Sequence, residues 1–186
     1  MLSTHIKEAT KTAHLNLEKI VIEKLKAIRS NADYADFLKY FHTYFSQVEQ
    51  AIAPYITAQL LPDYKDRRNS SYLKNDIEEL GGTIAEAPSV NIPVIENQLQ
   101  ALGALYVMEG SIMGGSIIVK MLEKGGITKG VSFFSGYGEA TGQKWGVFVS
   151  TMNQQATTPE EETIAIEAAN EAFTCFAEVF NPLTVA

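Results

Sequence analysis

The hydrophobic residues of this chain recur every three to four positions along most of its length, which is the spacing of one face of an α-helix. In the first segment the apolar stripe runs from Leu2 to Leu25 and predicts a helix over about residues 3–28. No stretch keeps the apolar–polar alternation that is typical of a half-buried β-strand. The pattern therefore predicts an all-α helical bundle, with a single domain over residues 1–186 and no internal repeats.

Helix-breaking and capping residues divide the rest of the chain. Ser30 and Asn31 interrupt the pattern, and Asn31 or Asp33 is expected to cap a second helix that continues to about residue 51. Pro54 and Pro62 bound a short third helix. Thr158 is expected to cap the last helix. The remaining predictions are helices over about residues 71–80, 94–124, 139–155 and 159–180, a loop over residues 82–93, and an irregular segment over residues 127–138.

The composition is that of an ordinary globular protein, with 46% hydrophobic and 20% charged residues. The net charge of -7 and the lack of a long basic run argue against nucleic acid as a partner. Lys65, Arg67 and Arg68 form the one basic cluster, but they alternate with Asp63 and Asp66. We therefore expect this cluster to be a solvent-exposed turn.

The single cysteine, Cys175, permits no internal disulfide and no zinc cluster, and it favours a reducing compartment. The charged N-terminal residues are unlike a secretory signal peptide. The most apolar run, residues 101–119, contains Glu109 and four glycines, so it predicts a buried helix rather than a membrane span. These features predict a cytoplasmic protein with no membrane partner.

His14 and Glu18 lie four residues apart on the first predicted helix, so their side chains share one face. A carboxylate bonded to one imidazole nitrogen orients the ring and leaves the other nitrogen free to bind a metal. Lys7 and Lys11 lie on or near the same face and can attract an anionic ligand. This set suits haem, whose iron takes a histidine and whose propionates are negative. The alternative is a solvated surface pair of little consequence.

Three glycines, Gly110, Gly114 and Gly115, lie within six residues of the long predicted helix. Each costs about 1 kcal/mol relative to alanine in a helix, so their presence needs a reason. One reason is close packing against another helix, or a kink. The other is a flat ligand, such as haem bound by His14, that the backbone approaches too closely for any Cβ atom. A phosphate-binding loop is disfavoured because these glycines lie within a helix and no Gly-Lys-Ser/Thr follows them.

The two segments together resemble the haem oxygenases. Residues 7–18 (KEATKTAHLNLE) match the proximal helix of that family, and residues 106–115 (YVMEGSIMGG) are similar to the distal helix of its bacterial, biliverdin-producing branch. The aromatic residues between 133 and 148 are similar to the segment that follows the distal helix. The resemblance covers nearly the whole chain in one order.

The resemblance implies an enzyme that clamps haem between two helices and cleaves it with dioxygen and electrons to biliverdin, carbon monoxide and ferrous iron. The electrons would come from an external reductase or ferredoxin. His14 would be the axial ligand of the iron and Glu18 its orienting partner. The expected distal residues are Gly110, Ser111, Gly114 and Gly115, and the candidates for holding the propionates are Lys7, Lys11, Tyr106 and Lys120.

The chain also departs from the family at three positions. Ser111 lies where mammalian members carry an aspartate that orders a distal water, so Ser111 or a water bound to it is the expected proton source. Asn170 and Thr174 lie where the last helix of mammalian members is basic. The orientation of haem, and with it the carbon at which the ring opens, is therefore left open.

Two other functions fit the same residues. A haem carrier, store or sensor would need the same ligand and glycines without degrading haem. The thiaminase-like enzymes resemble this fold and use a cysteine nucleophile, but Cys175 lies on an apolar helix face and is expected in the core. His42 and His5 are weaker haem ligands than His14, because His42 has no acid four residues on and His5 lies near a helix end.

Overall fold

The computed structural model describes residues 1–85 and 89–180, and within these ranges it contains α-helices, 3-10 helices and turns but no β-strand. The all-α prediction is confirmed. The tip of the expected 82–93 loop and the last six residues of the expected domain lie outside the described residues. The α-helices are α1 (Leu2–Ala9), α2 (Lys11–Ala27), α3 (Asn31–Ile52), α4 (Ser70–Glu79), α5 (Gln98–Lys124), α6 (Thr141–Gln155) and α7 (Pro159–Phe180).

The centre of the fold is the pair of helices α5 and α7, which share the most extensive helix–helix interface. They approach closely at Gly103, where a Cβ atom would lie 2.2 Å from the carbonyl oxygen of Ala165. The length and composition of α5 would suffice to cross a membrane, but half of its most apolar window is buried within the protein. Packing in the core therefore accounts for the apolar composition of this helix.

Helix α3 contributes an aromatic cluster to the core. The Phe41 ring lies at its centre and makes edge-on contact with Phe134 and Phe176, with ring centroids 5.3 and 4.9 Å away. The buried hydroxyl groups of Tyr34 and Tyr44 donate hydrogen bonds to the carbonyl oxygens of Gly130 and Ala172, so these polar atoms are satisfied. The cluster joins α3 and α7 to the segment that follows α5.

The predicted first helix, residues 3–28, is two helices that meet at Thr10. The Thr10 side chain is buried, and its Oγ1 atom donates a hydrogen bond to the carbonyl oxygen of Ile6 at 2.7 Å. A threonine hydroxyl that bonds back to the preceding turn bends a helix. Lys7 therefore lies on α1 and His14 on α2.

The predicted helix between Pro54 and Pro62 is wrong: these residues form turns, followed by a short 3-10 helix, Tyr64–Asp66. Helix α3 is capped by neither Asn31 nor Asp33 but by Ser30, whose hydroxyl oxygen accepts from the Asp33 backbone N–H. Two other helices begin later than predicted. Helix α5 begins at residue 98, after an Asn97 cap, and α6 begins at residue 141, after the 3-10 helix Gly138–Ala140.

Helix α7 has the predicted bounds, and its first turn explains why. The Thr158 hydroxyl oxygen accepts from the Glu161 backbone N–H at 3.2 Å, and the Glu161 carboxylate accepts from the Thr158 backbone N–H at 3.0 Å. This reciprocal pair is a capping box, which satisfies two backbone donors at the start of the helix. Pro159 adds a first residue whose backbone angle already suits a helix.

Asp76 on α4 holds the segment that follows α5. The Asp76 side chain is buried, and its carboxylate accepts hydrogen bonds from the backbone N–H groups of Ser132 and Phe133 and from the Ser132 hydroxyl. Burial raises the pKa of Asp76, and these hydrogen bonds act in the opposite direction. One side chain thus fixes the backbone at Ser132 and Phe133, immediately before Phe134.

We expect the Asp76→Ala substitution to lower the free energy of unfolding by about 1–3 kcal/mol, because it leaves buried backbone donors without an acceptor. Urea unfolding followed by circular dichroism measures the change. The matched control is Asp36→Ala, which removes an exposed aspartate paired only with Lys39 and should change stability by less than about 0.5 kcal/mol. Equal effects of the two substitutions would contradict this role of Asp76.

Candidate active site

A cavity of about 470 Å³ lies between α2 and α5. Its volume is within the range of about 300–1,000 Å³ that is typical of ligand pockets. Most of the lining is apolar: Leu17, Val21, Ile22, Leu25, Phe41, Val107, Met113, Ile117, Ile118, Met121, Phe134, Phe173 and Phe176. The other lining residues are Lys7, Thr10, His14, Glu18, Tyr106, Gly110, Ser111, Gly114 and Trp145.

His14 lies on the α2 wall of the cavity, and its ring contacts the ring of Phe173 on α7 at a centroid distance of 5.5 Å. Glu18 lines the cavity one helical turn further on, but no hydrogen bond between Glu18 and His14 is found among the described residues. The expected carboxylate–imidazole bond is therefore absent from this conformation, and the contact made by the imidazole is aromatic. Within residues 1–85 and 89–180, no protein group bonds the Nδ1 or Nε2 atom of His14.

His14 is the only one of the three histidines that lines the cavity. His5 instead pairs with Glu162 of α7 through Nδ1, and this contact lowers the pKa of the Glu162 carboxyl. His42 is half-buried on α3, where burial lowers its pKa, with a smaller effect from Lys74. Neither of them lines the cavity.

The glycines of α5 divide into two groups. Gly110 and Gly114 line the cavity, and a Cβ atom at Gly114 would meet no atom within 4 Å. The expectation that Gly115 also lines it is wrong, because Gly115 is buried and a Cβ atom there would lie 2.0 Å from the carbonyl oxygen of Phe134. Both explanations of the glycine run therefore apply: Gly115 permits close backbone packing, and at the other two the α5 wall of the cavity is bare backbone.

Of the expected propionate partners, Lys7 and Tyr106 line the cavity, whereas Lys11 and Lys120 do not. The side chains of these two lysines are exposed. Burial raises the pKa of Tyr106, and a hydrogen bond with the Thr10 side chain acts in the opposite direction. Tyr106 therefore keeps its hydroxyl proton at neutral pH, and it donates this proton to an anion only by turning it away from Thr10, whose own hydrogen is used on Ile6.

Arg67 and Arg68 are buried, so the expectation of a solvent-exposed basic turn is wrong. The Arg67 Nη1 atom lies 2.6 Å from the Glu109 carboxylate, and its Nε atom lies 2.9 Å from that of Asp63. Lys144 of α6 pairs with the second oxygen of Asp63 at 2.8 Å. This ion-pair network joins the 3-10 segment to α5 and α6. The one available sequence signal was Glu109, a carboxylate inside an apolar run that needs a buried cation.

Ser111 follows the first cavity glycine and is held by Arg68. The Arg68 Nη2 atom donates to the Ser111 hydroxyl oxygen at 2.5 Å, and the Ser111 hydroxyl donates to the carbonyl oxygen of Met108 at 2.6 Å. Sequence reasoning placed Ser111 at the ligand but missed Arg68, whose partners are distant in sequence.

Cys175 does not line the cavity. Its side chain is buried on α7, and burial raises the pKa of its thiol to about 11. A nucleophilic cysteine needs a lowered pKa and access to the substrate. Both observations disfavour the thiaminase-like alternative.

Comparisons with known proteins agree with these features. The family model described as Heme oxygenase matches residues 1–182. A heme oxygenase of Xanthomonas campestris pv. campestris is 25% identical over 155 residues, which cover 80% of this chain and 92% of that protein. Heme oxygenase PigA of Pseudomonas aeruginosa is 24% identical over 172 residues, covering 91% and 86%. The NO- and CO-bound heme oxygenase of Neisseria meningitidis has the same fold, with a TM-score of 0.80, 23% identity, and 100% and 95% coverage.

Gly114 lines the cavity and Gly115 packs against Phe134, so substitutions at these neighbouring residues should affect different properties, haem binding in the first case and stability in the second. Gly114→Leu should fill the cavity at the α5 wall, weakening haem binding at least tenfold while leaving thermal stability close to wild type. Gly115→Ala should lower the free energy of unfolding by about 1–3 kcal/mol, because its Cβ atom overlaps the Phe134 carbonyl group.

Haem titration followed by absorbance, and thermal unfolding of the haem-free protein, test the two effects separately. Gly146→Leu is the control, because Gly146 is exposed on α6 and a Cβ atom there meets nothing within 4 Å. Unchanged haem affinity in Gly114→Leu would show that the ligand does not approach this wall.

Proposed function

The chain belongs to the haem oxygenase family, whose reaction is the degradation of haem, and we propose that the cavity between α2 and α5 is where it binds and cleaves this substrate. The observation that supports the proposal best is the pairing of two cavity walls. The only lining histidine, His14, is on α2, and the walls of α5 include the bare backbone of Gly110 and Gly114. A flat ligand whose metal is bound on one face needs a ligating side chain on that side and closely approaching backbone on the other.

His14 is the proposed axial ligand of the haem iron. Its side chain is accessible from the cavity, and no group in the part of the chain that the structure describes bonds either ring nitrogen. Contact with Phe173 limits the orientations of the ring. Glu18, one turn away, would bond the second nitrogen through a side-chain rotation or a bridging water, which fixes the tautomer that binds metal.

The cavity has a polar end and an apolar end, and we propose that this asymmetry orients haem. Tyr106 lies beside Trp145, with ring centroids 5.7 Å apart, and bonds Thr10, which follows Lys7 by three residues. The apolar residues of α2 and the second half of α5 line the other side. The two propionates would face Lys7 and Tyr106, because a cation and a protonated hydroxyl both donate to carboxylates. The apolar edge of the ring would face the opposite end.

When bound, haem supplies the iron that activates dioxygen and the ring that is opened, while the protein supplies position and protons. Gly110 and Gly114 leave room between the ring and α5 for a small ligand. Ser111 lies between these two glycines and could hold a water, and no carboxylate lines the α5 wall among the described residues. We propose that this wall delivers protons through water.

The reaction consumes electrons, and we propose an external reductase or ferredoxin as their source. A carrier or sensor of haem would use the same ligand and the same glycines. The two functions differ only in what happens to bound haem when electrons and dioxygen are supplied, and that difference decides the experiment.

His14→Ala should abolish the histidine-type absorption spectrum of the haem complex, because the replacement methyl group cannot bind iron. The controls are His5→Ala and His42→Ala, which remove histidines that lie outside the cavity and should leave the spectrum unchanged. Imidazole added to His14→Ala should restore the spectrum, which separates loss of a ligand from loss of the fold. A wild-type spectrum in His14→Ala would assign the ligand elsewhere.

The haem complex, given a reductase and dioxygen, should form biliverdin and release one carbon monoxide and one iron per haem. Bilin absorbance, carbon monoxide capture by myoglobin and an iron chelator measure the three products. Ser111→Ala should slow turnover only a few fold, since water can replace a hydroxyl, whereas His14→Ala should stop it. Reoxidation of the iron without bilin or carbon monoxide would establish the haem-carrier alternative.

A further inference from the structure

Charge is distributed unevenly over the chain. Residues 1–29, which include α1 and α2, hold six of the 15 Lys and Arg residues but three of the 22 Asp and Glu residues. Helix α7 holds six glutamates and neither Lys nor Arg. Among the other basic residues, Arg67 and Arg68 are buried and Lys144 is paired with Asp63. A protein with a net charge of -7 thus concentrates its accessible positive charge on its first two helices.

Part of this positive charge lies along one side of α2. Lys11, Leu15 and Lys19 follow one another at intervals of four residues. Lys26 comes seven residues, or about two helical turns, after Lys19. These spacings place all four side chains on one side of the helix. Ile22 lies on the same side, seven residues after Leu15, and lines the cavity. This side of α2 therefore borders the cavity.

Helix α5 has the same arrangement across the cavity. Met113 and Ile117 line the cavity and are nevertheless 53% and 64% exposed, so they mark its opening. Lys120 follows Ile117 by three residues and Lys124 follows it by seven, which places both lysines on the side of the helix that carries Ile117. The opening of the cavity is thus flanked by lysines on both helices.

The residues that flank the opening form a surface that we call the mouth face: Leu15, Lys11, Lys19, Lys26, Lys120 and Lys124. All six are exposed, and none of the five lysines forms an ion pair with a described residue. Leu15 is 51% exposed and does not line the cavity, so a ligand inside the cavity leaves it uncovered. Against these lysines the cavity lining has one carboxylate, that of Glu18. An apolar residue among unpaired cations suits an acidic partner.

We propose that the mouth face is the docking surface for an acidic protein that carries one electron at a time. The proposal rests on the proposed function, which consumes electrons from an external source. A carrier bound here covers the opening of the cavity in which haem is proposed to lie. It transfers one electron to the ferric iron, which becomes ferrous while the carrier is oxidised by one electron, and no covalent bond forms or breaks. The six glutamates of α7 repel the same carrier, so the charge pattern directs it to α2 and α5.

The rate of iron reduction tests the proposal. The ferric haem complex is mixed with a reduced carrier under carbon monoxide, and the absorbance of the ferrous carbon monoxide complex gives the second-order rate constant. An acidic [2Fe–2S] ferredoxin and an acidic flavodoxin are the two probes. From about 0.01 M to about 0.15 M salt the Debye length shrinks from about 30 Å to about 8 Å, so we expect the rate constant to fall at least about tenfold with one or both carriers. A rate constant that does not fall with salt for either carrier overturns the proposal.

Charge reversal locates the surface. Lys19→Glu combined with Lys26→Glu changes the mouth face without changing the cavity lining, and at about 0.01 M salt it should lower the rate constant at least about tenfold. The matched control is Lys39→Glu combined with Lys74→Glu, which changes the net charge equally on α3 and α4 and should lower the rate constant less than about threefold. Photoreduction by a neutral deazaflavin, which needs no docking surface, should proceed equally in all variants. Equal slowing by the two double variants would contradict docking at the mouth face.

Substitution of Leu15 tests the apolar part of the surface. Leu15→Asn should lower the rate constant a few fold at about 0.15 M salt as well as at about 0.01 M, because salt screens charges but not apolar contacts. The substitution leaves the lysines in place, so the slope of the rate constant against salt should stay that of wild type. An unchanged rate constant at both salt concentrations would overturn the part assigned to Leu15.

An anionic membrane is the other kind of surface that lysines beside exposed apolar residues bind. Sedimentation with vesicles of phosphatidylglycerol and phosphatidylcholine measures such binding. Wild-type binding that is lost in the Lys19→Glu and Lys26→Glu double variant, together with unaltered carrier rates in that variant, would assign the mouth face to a membrane and overturn the proposal.

The outcomes also separate this proposal from the proposed function. If photoreduction of the wild-type haem complex in dioxygen yields no bilin, the proposed function fails. If bilin forms under photoreduction but the carrier rates respond neither to salt nor to charge reversal, only the docking surface fails.

Discussion

The buried ion pair between Arg67 and Glu109 is the constraint on which the active-site side of the molecule depends. Both side chains are almost completely buried, with their charged atoms 2.6 Å apart. Removing one member of such a pair leaves an uncompensated charge and costs about 3–5 kcal/mol. Glu109 immediately precedes Gly110, so the pair holds α5 at the point where its glycines begin. The glycines add no side-chain packing to one face of α5, and the ion pair thus anchors this helix at another.

Much of the fold could be predicted from sequence, because helices depend on local spacing and local caps. The bounds of α7 follow from Thr158, Pro159 and Glu161, which interact within one turn. The elements that were predicted wrongly are those whose positions depend on contacts between residues far apart in the sequence. The segment after α3 forms turns instead of a helix and places Arg67 and Arg68 in the core. No local sequence pattern indicates which groups these arginines bond.

The same distinction holds within the site. The candidate ligand and the glycine stripe were found from spacing along single helices. Which glycine faces the cavity depends on the rotation of α5 against Phe134, and this rotation is a tertiary property. Lys7 and Lys120 are both exposed, yet only Lys7 lines the cavity, so exposure does not distinguish the two. Sequence spacing thus identifies which helix lines a site more reliably than it identifies which residues of that helix do so.

Trp145, the only tryptophan of the chain, lies in the cavity wall beside Tyr106, with ring centroids 5.7 Å apart. All tryptophan fluorescence of the protein therefore originates at the polar end of the cavity. Haem absorbs light at the wavelengths that tryptophan emits, so a haem seated there would quench nearly the whole signal, and release of a bilin product would restore part of it. The intrinsic fluorescence of the protein therefore reports whether the cavity is filled.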